Sequence, residues 1–334
     1  MYVRDETLVK DFQLAAHKPR PIRASCRRRP TTYSIVARDP ATGCFGVAAQ
    51  SHFFGVGSVL PWAEPGQGAV ATQAFVNPSY GPLGLQLMRR GMNSADALAH
   101  LLKGDQGAAL RQVAMIDRLG HVAVHTGSAC VGRAGHAQGE HSSAQANMMA
   151  SDRVWHSMLA AYTESSGDMA HRLLIALQAG EAAGGDIRGR QSACLMVVAA
   201  DTIDAGGAKL IDLRVDDSKD PLGELDRLLT LHEHYQVLAE LLAEGMFDHA
   251  LSDERLAEAD ARLKKSQSFA GDDNKEFAFW RGVILARAGR IVEARHALAE
   301  ATASHAGWAA LFRSLPASGS LPIDPSRIEA VLGS

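Results

Sequence analysis

Four side chains near the first predicted strand could act as nucleophiles: Thr31, Thr32, Ser34 and Cys44. A hydroxyl or thiol reacts well only when a base stands within hydrogen-bond reach of it. The sequence carries no Gly-x-Ser-x-Gly elbow, no His-Glu-x-x-His helix and no phosphate-binding loop. A serine triad stays open, because its members need not be close to one another in sequence.

A threonine at the start of a chain is a special case, since its own α-amine can serve as the base. A free α-amine has a pKa of about 8, so part of it is neutral at physiological pH. The segment "RRRPTTYSIVARDPATG" places Thr32 at the start of a β pattern. Inside a peptide bond, however, the nitrogen of Thr32 is an amide and cannot act as a base. Thr32 is therefore a nucleophile only if its amine is exposed.

Three explanations stay open for the segment that precedes Thr32. The start codon is assigned too far upstream, or the chain is trimmed near the basic run Arg27–Arg29, or the segment is kept. A cut between Pro30 and Thr31 would expose Thr31 instead, which makes Thr31 a reserve candidate. If the segment is kept, Thr32 is a β-branched residue of an edge strand and the protein is not an N-terminal nucleophile enzyme.

Candidate oxyanion donors follow in the predicted strands and turns. A tetrahedral oxyanion needs hydrogen-bond donors that are held near the nucleophile. The stretch "AQSHFFGVGS" offers Ser51 and His52. Gln73 ends the strand pattern "GAVATQ", and Asn77 begins a turn with Pro78.

The glycine-rich stretch "GGDIRGRQS" is a candidate substrate loop. Gly189 allows a ligand to approach the backbone closely. Arg188 could bind a substrate carboxylate with two parallel hydrogen bonds, or it could pair with Asp186 in a turn that enters a strand. Both interpretations stay open. His52 and Glu64 lack the spacing of metal ligands, so no metal site is predicted.

The elements that must position these groups come in blocks. Strands up to about residue 75 are followed by helices near 81–91 and 93–104 and by a hairpin that turns at 118–120. An extended piece at 140–151, helices at about 151–163 and 167–180, and two further strands complete the pattern. Because strands and helices do not alternate one by one, we predict an α+β fold of four layers, an αββα sandwich.

The pattern divides the chain into a flexible leader (1–30), the sandwich (31–220) and a helical tail (222–334). The tail opens with the long amphipathic pattern "ELDRLLTLHEHYQVLAELLAEG". Two helices around residues 288–290 and a third near "GWAALFRSL" resemble a tetratricopeptide-type hairpin. The apolar faces of this tail predict a homo-oligomer.

Composition excludes several classes of protein. The 334 residues are 46% hydrophobic and 21% charged, with a net charge of -3, so no global field attracts nucleic acid. No stretch approaches the roughly 20 apolar residues of a membrane helix, and the leader lacks the apolar core of a secretory signal. We expect a cytoplasmic protein. The four cysteines lie far apart, which argues against a disulfide framework or a structural zinc site.

Two stretches carry a resemblance to a known family. "TTYSIVARDPATGCFGVAAQSHFFGVGSVLPWAEPGQGAVATQA" resembles the start of the DUF1028 family, and "GGDIRGRQSACLMVV" resembles its second signature. The resemblance implies the fold of the N-terminal nucleophile hydrolases. The family's Met-Thr-Phe-Ser-Ile opening falls on 31–35, which implies Thr32 as the nucleophile, although Thr31 stands where the family has its initiator methionine. "QAN" matches the family's Gln-x-Asn and implies Asn147 as an oxyanion donor.

These observations predict an amidohydrolase for a small or peptide-like amide, needing no cofactor. The predicted catalytic residues are Thr32, Asn147, Ser51 and Gln73, and the predicted substrate-binding residues are His52, Asn77, Asp186, Arg188 and Gly189. One alternative is a non-catalytic binding or scaffold protein that uses the sandwich and the tail. Another is a serine or cysteine hydrolase with an internal nucleophile and His52 or His125 as its base.

Overall fold

The computed structural model describes residues 32–201, 209–245, 251–318 and 323–333. The predicted leader and the reserve nucleophile Thr31 lie outside these ranges. The strands are β1 (Thr32–Arg38), β2 (Phe45–Ser51), β3 (Pro61–Glu64), β4 (Gly68–Ala74), β5 (Arg111–Asp117), β6 (Val122–Thr126), β7 (Arg133–Gln138), β8 (Ser142–Met149), β9 (Ser192–Val198) and β10 (Lys209–Val215).

Ten α-helices are described. They are α1 (Tyr80–Arg89), α2 (Ser94–Gly104), α3 (Val154–Glu164), α4 (Met169–Ala182), α5 (Pro221–Ala243), α6 (Asp253–Ala270), α7 (Glu276–Arg287), α8 (Ile291–Ser304), α9 (Gly307–Ser314) and α10 (Pro325–Leu332). Asn93 caps α2, because its side chain accepts a hydrogen bond from the backbone N–H of Asp96 at 2.8 Å. None of the described helices is both long and apolar enough to span a bilayer.

The strands form two antiparallel sheets. The first has the order β10-β9-β2-β1-β8-β7 and the second has the order β3-β4-β5-β6. A tight turn joins β1 to β2, in which Gly43, at a φ of 75°, donates its N–H to Asp39 O. β1 lies between β2 and β8, so the edge-strand interpretation of Thr32 is wrong. The strand β8, which pairs with β1, lies more than a hundred residues later in the sequence. Local patterns in the sequence do not predict pairing over such a separation.

Side-chain alternation along β1 separates two packed layers. Tyr33 and Ile35 point to one face and join a core with α3 and α4. Val36 points to the other face and joins a core with Ala71 and Ala114 of the second sheet. A third core packs α1 and α2 on the opposite face of the second sheet. The molecule is thus of mixed α+β class, with two stacked sheets and helices on both outer faces.

Two strands were missed by the sequence analysis, β3 and β7. Both lie at the edge of a sheet. β3 has only four residues and begins with Pro61, and β7 (RAGHAQ) is exposed or half-buried throughout. Edge strands of this kind bury little side-chain surface, so their sequences carry little hydrophobic alternation.

The C-terminal region is helical, with its own core. Helices α7, α8 and α9 match the predicted hairpin and third helix. The helices α6 and α10 were not predicted. α5 contributes to two cores: Leu225 and Leu229 pack against the first sheet, whereas Leu238 and Leu241 pack in the tail. Residue 222, where the predicted tail begins, therefore lies in the first turn of a helix that connects the two cores.

Gly282 permits the close approach of α7 to α8, which gives a testable prediction. A Cβ at this position would lie 2.4 Å from Leu298 Cγ. Gly282→Ala is expected to destabilise the tail by about 1–3 kcal/mol through overpacking, although alanine has the better helix propensity. Urea unfolding measures the effect. Gly104→Ala, at the end of α2 with open space around its Cβ, is the control and should be neutral or stabilising.

Candidate active site

The space between the two sheets is divided into an apolar half and a polar half. The polar half holds fully buried or nearly buried side chains: Thr32, Ser34, Ser51, Gln73, Gln112, Gln145 and Asn147. A buried amide or hydroxyl is costly unless it is hydrogen-bonded. These groups therefore form a network, and its members fix one another.

Thr32 stands at one end of this network. Its Oγ1 donates a hydrogen bond to Ser51 Oγ at 3.1 Å. Its backbone carbonyl lies 3.3 Å from Gln73 Nε2 and 3.4 Å from Asn147 Nδ2. Ser51 and Asn147 are also its direct cross-strand neighbours. The fold thus brings the four predicted catalytic residues into contact.

Gln112 on β5 is the hub of the network and was missed by the sequence analysis. Its Oε1 accepts from Gln73 Nε2 at 2.7 Å and from Asn147 Nδ2 at 3.0 Å. Its Nε2 lies within hydrogen-bond distance of three oxygens: Ala146 O, Thr126 Oγ1 and Gly135 O. Gln112 therefore sets the orientation of both amides that reach Thr32. The sequence of the hairpin does indicate this position. Val113 faces the helices α1 and α2, so its neighbour Gln112 must point to the other face of the sheet, towards the first sheet.

Ser34, a candidate nucleophile, is a member of this network. Its Oγ donates to Gln73 Oε1 at 2.6 Å and accepts from Gln145 Nε2 at 2.6 Å. Ser143 Oγ in turn donates to Gln145 Oε1 at 3.1 Å. The Ser34 hydroxyl proton is thereby directed at an amide oxygen rather than at a base.

The backbone is strained directly after both amides. Among the described residues, Ala74 (φ 65°) and Met148 (φ 56°) are the non-glycine residues with positive φ. They follow Gln73 and Asn147. Such conformations cost of order 1 kcal/mol or more and occur most often at functional sites. These two positions set the direction of the backbone directly after Gln73 and directly after Asn147.

The glycine-rich loop lies beside the strand ends that hold Thr32. The Asp186 carboxylate is fully buried and accepts hydrogen bonds from the backbone N–H groups of His52 (3.1 Å) and Arg188 (2.9 Å). Arg188 Nη2 is 3.0 Å from Asp186 Oδ2, and the Arg188 side chain is 34% exposed. The structure therefore contains the Asp186–Arg188 salt bridge that one of the two interpretations of this loop predicted. Gly189 has a φ of 100° and open space around it, which fits a surface that admits a ligand.

Two of the predicted site residues, Asn77 and His125, make hydrogen bonds away from Thr32. Asn77 Oδ1 accepts from the backbone N–H of Ser79 at 3.2 Å, so its side chain stabilises the turn before α1. His125 Nε2 lies 2.9 Å from Ala108 O. His125 pairs with Val113, whose side chain packs towards α1 and α2.

A hydroxyl–imidazole contact extends the network outwards through Gln112. Thr126 Oγ1 lies 2.9 Å from His136 Nδ1, and Gln112 Nε2 lies 2.9 Å from the same hydroxyl. Burial, together with the nearby His125, lowers the pKa of His136 below its ordinary value. Neither Thr126 nor His136 was singled out in the sequence, because β7 had not been recognised as a strand.

An ion pair holds the start of β5, next to Gln112. Arg111 Nε lies 2.7 Å from Asp105 Oδ2, and both side chains are largely buried. Tyr80 OH donates to the same carboxylate at 3.1 Å. The hydrogen bond from Arg111 lowers the pKa of Asp105 below its ordinary value, against the effect of burial.

This pair gives a prediction with a defined pH dependence. The folded-state pKa of Asp105 is lowered, so its stabilising effect is complete above the unfolded pKa of about 3.9 and is lost as the pH falls through the folded pKa. Asp105→Asn is expected to cost about 1–2 kcal/mol at pH 7 and clearly less at pH 3. Urea unfolding at the two pH values tests this. Asp272→Asn, in an exposed turn, should change stability little at either.

Comparison with known proteins identifies the family. Residues 32–225 match the model of a family of unknown function, DUF1028. The match spans more than half of the chain, which therefore belongs to this family. A crystal structure of a DUF1028 protein from Silicibacter pomeroyi is similar, with 33% sequence identity and a TM-score of 0.55 over 60% of this chain and 84% of that one. Among curated proteins, no match was found.

Proposed function

We propose that this DUF1028 chain is an amidohydrolase of the N-terminal nucleophile class, with Thr32 as its nucleophile. The observation that carries the proposal is the position of Thr32. It is the first residue of a central strand, and the buried amides of Gln73 and Asn147 converge on its carbonyl. The stacked sheets with helices on both outer faces agree with the αββα architecture of that class.

The chemistry follows from one residue. The α-amine of Thr32, once free, takes the proton of Oγ1 as the oxygen attacks the amide carbonyl. The tetrahedral intermediate collapses when the same amine passes its proton to the leaving nitrogen. Water then attacks the acyl ester, loses a proton to the amine, and Thr32 Oγ1 recovers that proton on release of the acid. No cofactor takes part in this sequence of steps.

Asn147 is proposed as the main oxyanion donor. Its Nδ2 makes one short contact, 3.0 Å to Gln112 Oε1, and one long contact, 3.4 Å to Thr32 O. The proton in the long contact is weakly held, so it can turn to a developing oxyanion while Gln112 keeps the amide in place. A single donor of this kind contributes about 3–4 kcal/mol to catalysis. Gln73 Nε2 is the second donor, and Ser51 Oγ orients the nucleophile.

The substrate is proposed to be a small or peptide-like amide that carries a carboxylate. Asp186 accepts hydrogen bonds from Nε and Nη2 of Arg188, and the Arg188 side chain is 34% exposed. The substrate carboxylate would lie against this exposed guanidinium surface, because charge-assisted hydrogen bonds to a guanidinium are strong. His52 and Gly189 lie next to it and would complete the binding surface.

The proposal requires a mature chain that begins at Thr32. In the full chain the Thr32 nitrogen is an amide, and Thr32 has no exposed surface. Loss of the residues before Thr32 would free the base.

The test compares two chains. One begins at Thr32, released from an N-terminal ubiquitin fusion that leaves no extra residue, and the other retains residues 1–31. A library of fluorogenic acyl amides, with and without a carboxylate, should be hydrolysed by the first chain only. If neither chain hydrolyses any member while both are folded, the binding-protein alternative replaces the hydrolase. If the full chain is equally active, the amine of Thr32 is not the base.

A further inference from the structure

A cavity lies at the other end of the first sheet from Thr32. Its volume is about 730 Å³, and residues of the β1–β2 turn, the start of α4, β10 and α5 line it. The seven residues of β1 separate it from Thr32, a distance of roughly 20 Å along the strand. It is therefore a separate site from the proposed active site.

The floor of this cavity is apolar. Met169, Val197, Ile211 and Leu229 line it, and Leu210 at its edge is 42% exposed. Cavities of about 300–1,000 Å³ with mainly apolar walls are typical of small-molecule sites. The size and lining fit an aliphatic or aromatic group rather than a polar ligand.

The rim of the cavity is acidic. Asp39, Asp168 and Glu233 line it together with one lysine, Lys209. The Lys209 ammonium is bound to the carboxylate of Asp212 at 2.7 Å, so it does not neutralise the rim.

His171 bridges two of these carboxylates. Its Nδ1 lies 2.6 Å from Asp168 Oδ2, and its Nε2 lies 3.4 Å from Glu233 Oε1. The side chains of Asp168 and Glu233 remain 61% and 47% exposed, so both carboxylates keep oxygen surface for a ligand. A positively charged group above the apolar floor would meet both.

We propose that this cavity binds a small organic cation, an amine attached to an apolar body. The apolar body lies against Met169, Ile211 and Leu229, and the ammonium group binds the carboxylates of Asp168 and Glu233. This site does not depend on the proposed hydrolase, since it shares no residue with the Thr32 network.

Isothermal titration calorimetry on the full chain tests the proposal, with octylamine as the probe. Octanol and octanoate have the same apolar body with a neutral and a negative head group. Octylamine should bind about tenfold or more tightly than octanol, and octanoate should bind least. Glu233→Gln should weaken octylamine by about tenfold and leave octanol unchanged. Glu258→Gln, the same charge change on the exposed face of α6, should have no effect.

Several outcomes would overturn the proposal. Octylamine that gives no binding heat, or that binds no better than octanol, would exclude a cation site. Unchanged octylamine binding in Glu233→Gln would place the cation elsewhere. A Zn²⁺ titration covers the remaining possibility, because one ligand atom from each of Asp168, His171 and Glu233 lies within 4.8 Å of the others. Zn²⁺ binding that is lost in His171→Ala, without octylamine binding, would make this a metal site.

Discussion

In a chain that begins at Thr32, Thr32→Ala is expected to reduce amide hydrolysis by at least about a thousandfold. The substitution removes Oγ1, the only atom proposed to attack the carbonyl. Removal of the nucleophile from a serine protease lowers kcat by about 10⁶-fold. Thr32→Ser keeps the hydroxyl and the α-amine, so it should retain most of the activity. The assay is the hydrolysis of whichever library amide the unaltered chain cleaves.

Stability must be followed in the same variants. Thr32 is fully buried and its Oγ1 donates to Ser51, so Thr32→Ala is expected to lower the free energy of unfolding by about 1 kcal/mol. That loss leaves a folded protein. Thr163→Ala, the same change at an exposed position of α3, should alter neither activity nor stability. An active, folded Thr32→Ala chain would point to an internal nucleophile instead.

Gln112→Leu is expected to destabilise the fold by about 3–5 kcal/mol. Gln112 is fully buried, and its amide lies within hydrogen-bond distance of five other residues, two of which, Gln73 and Asn147, belong to the network. Leucine fills a similar volume but leaves the Nδ2 and Nε2 donors of Asn147 and Gln73 with fewer partners. Buried polar groups without partners carry their full desolvation cost. Urea unfolding at pH 7 measures the loss.

A matched pair of variants separates the network from simple volume effects. Gln112→Asn keeps both amide atoms on a shorter stem and should cost less than Gln112→Leu. Gln86→Leu, on the exposed face of α1, should be close to neutral. In the active chain, Gln112→Asn should lower kcat more than it raises KM, since Gln112 acts by orienting Asn147. A cost below about 1 kcal/mol for Gln112→Leu would mean that the buried amides do not form a network.

Much of the fold was predictable because its central elements carry clear periodicity. The strands β1, β2, β4 and β5 are buried on both faces, with alternate apolar side chains in different cores, and α1 to α4 bury apolar residues at helical spacing. The edge strands β3 and β7 bury too little to show a pattern. The placement of β1 inside its sheet depends on pairing with β8, and such long-range pairing is not encoded in local periodicity.

The candidate site was predictable in its residues but not in its geometry. Residue chemistry and a family resemblance pointed to Ser51, Gln73 and Asn147. The register of the first sheet brings Ser51 and Asn147 to Thr32, whereas Gln73 reaches Thr32 from the second sheet. Gln112 was missed because the hairpin was identified from Val113 and Met115, which face the helices. The residue that organises the site lies on the face that this pattern ignored.

The most direct test of the central claim is the intact mass and N-terminal sequence of the protein purified from its native host. The account predicts a chain whose first residue is Thr32, with a free α-amine. A chain that begins at Thr31 would move the nucleophile by one residue. A chain that retains the residues before Thr31 would leave Thr32 without its base and would contradict the proposed mechanism.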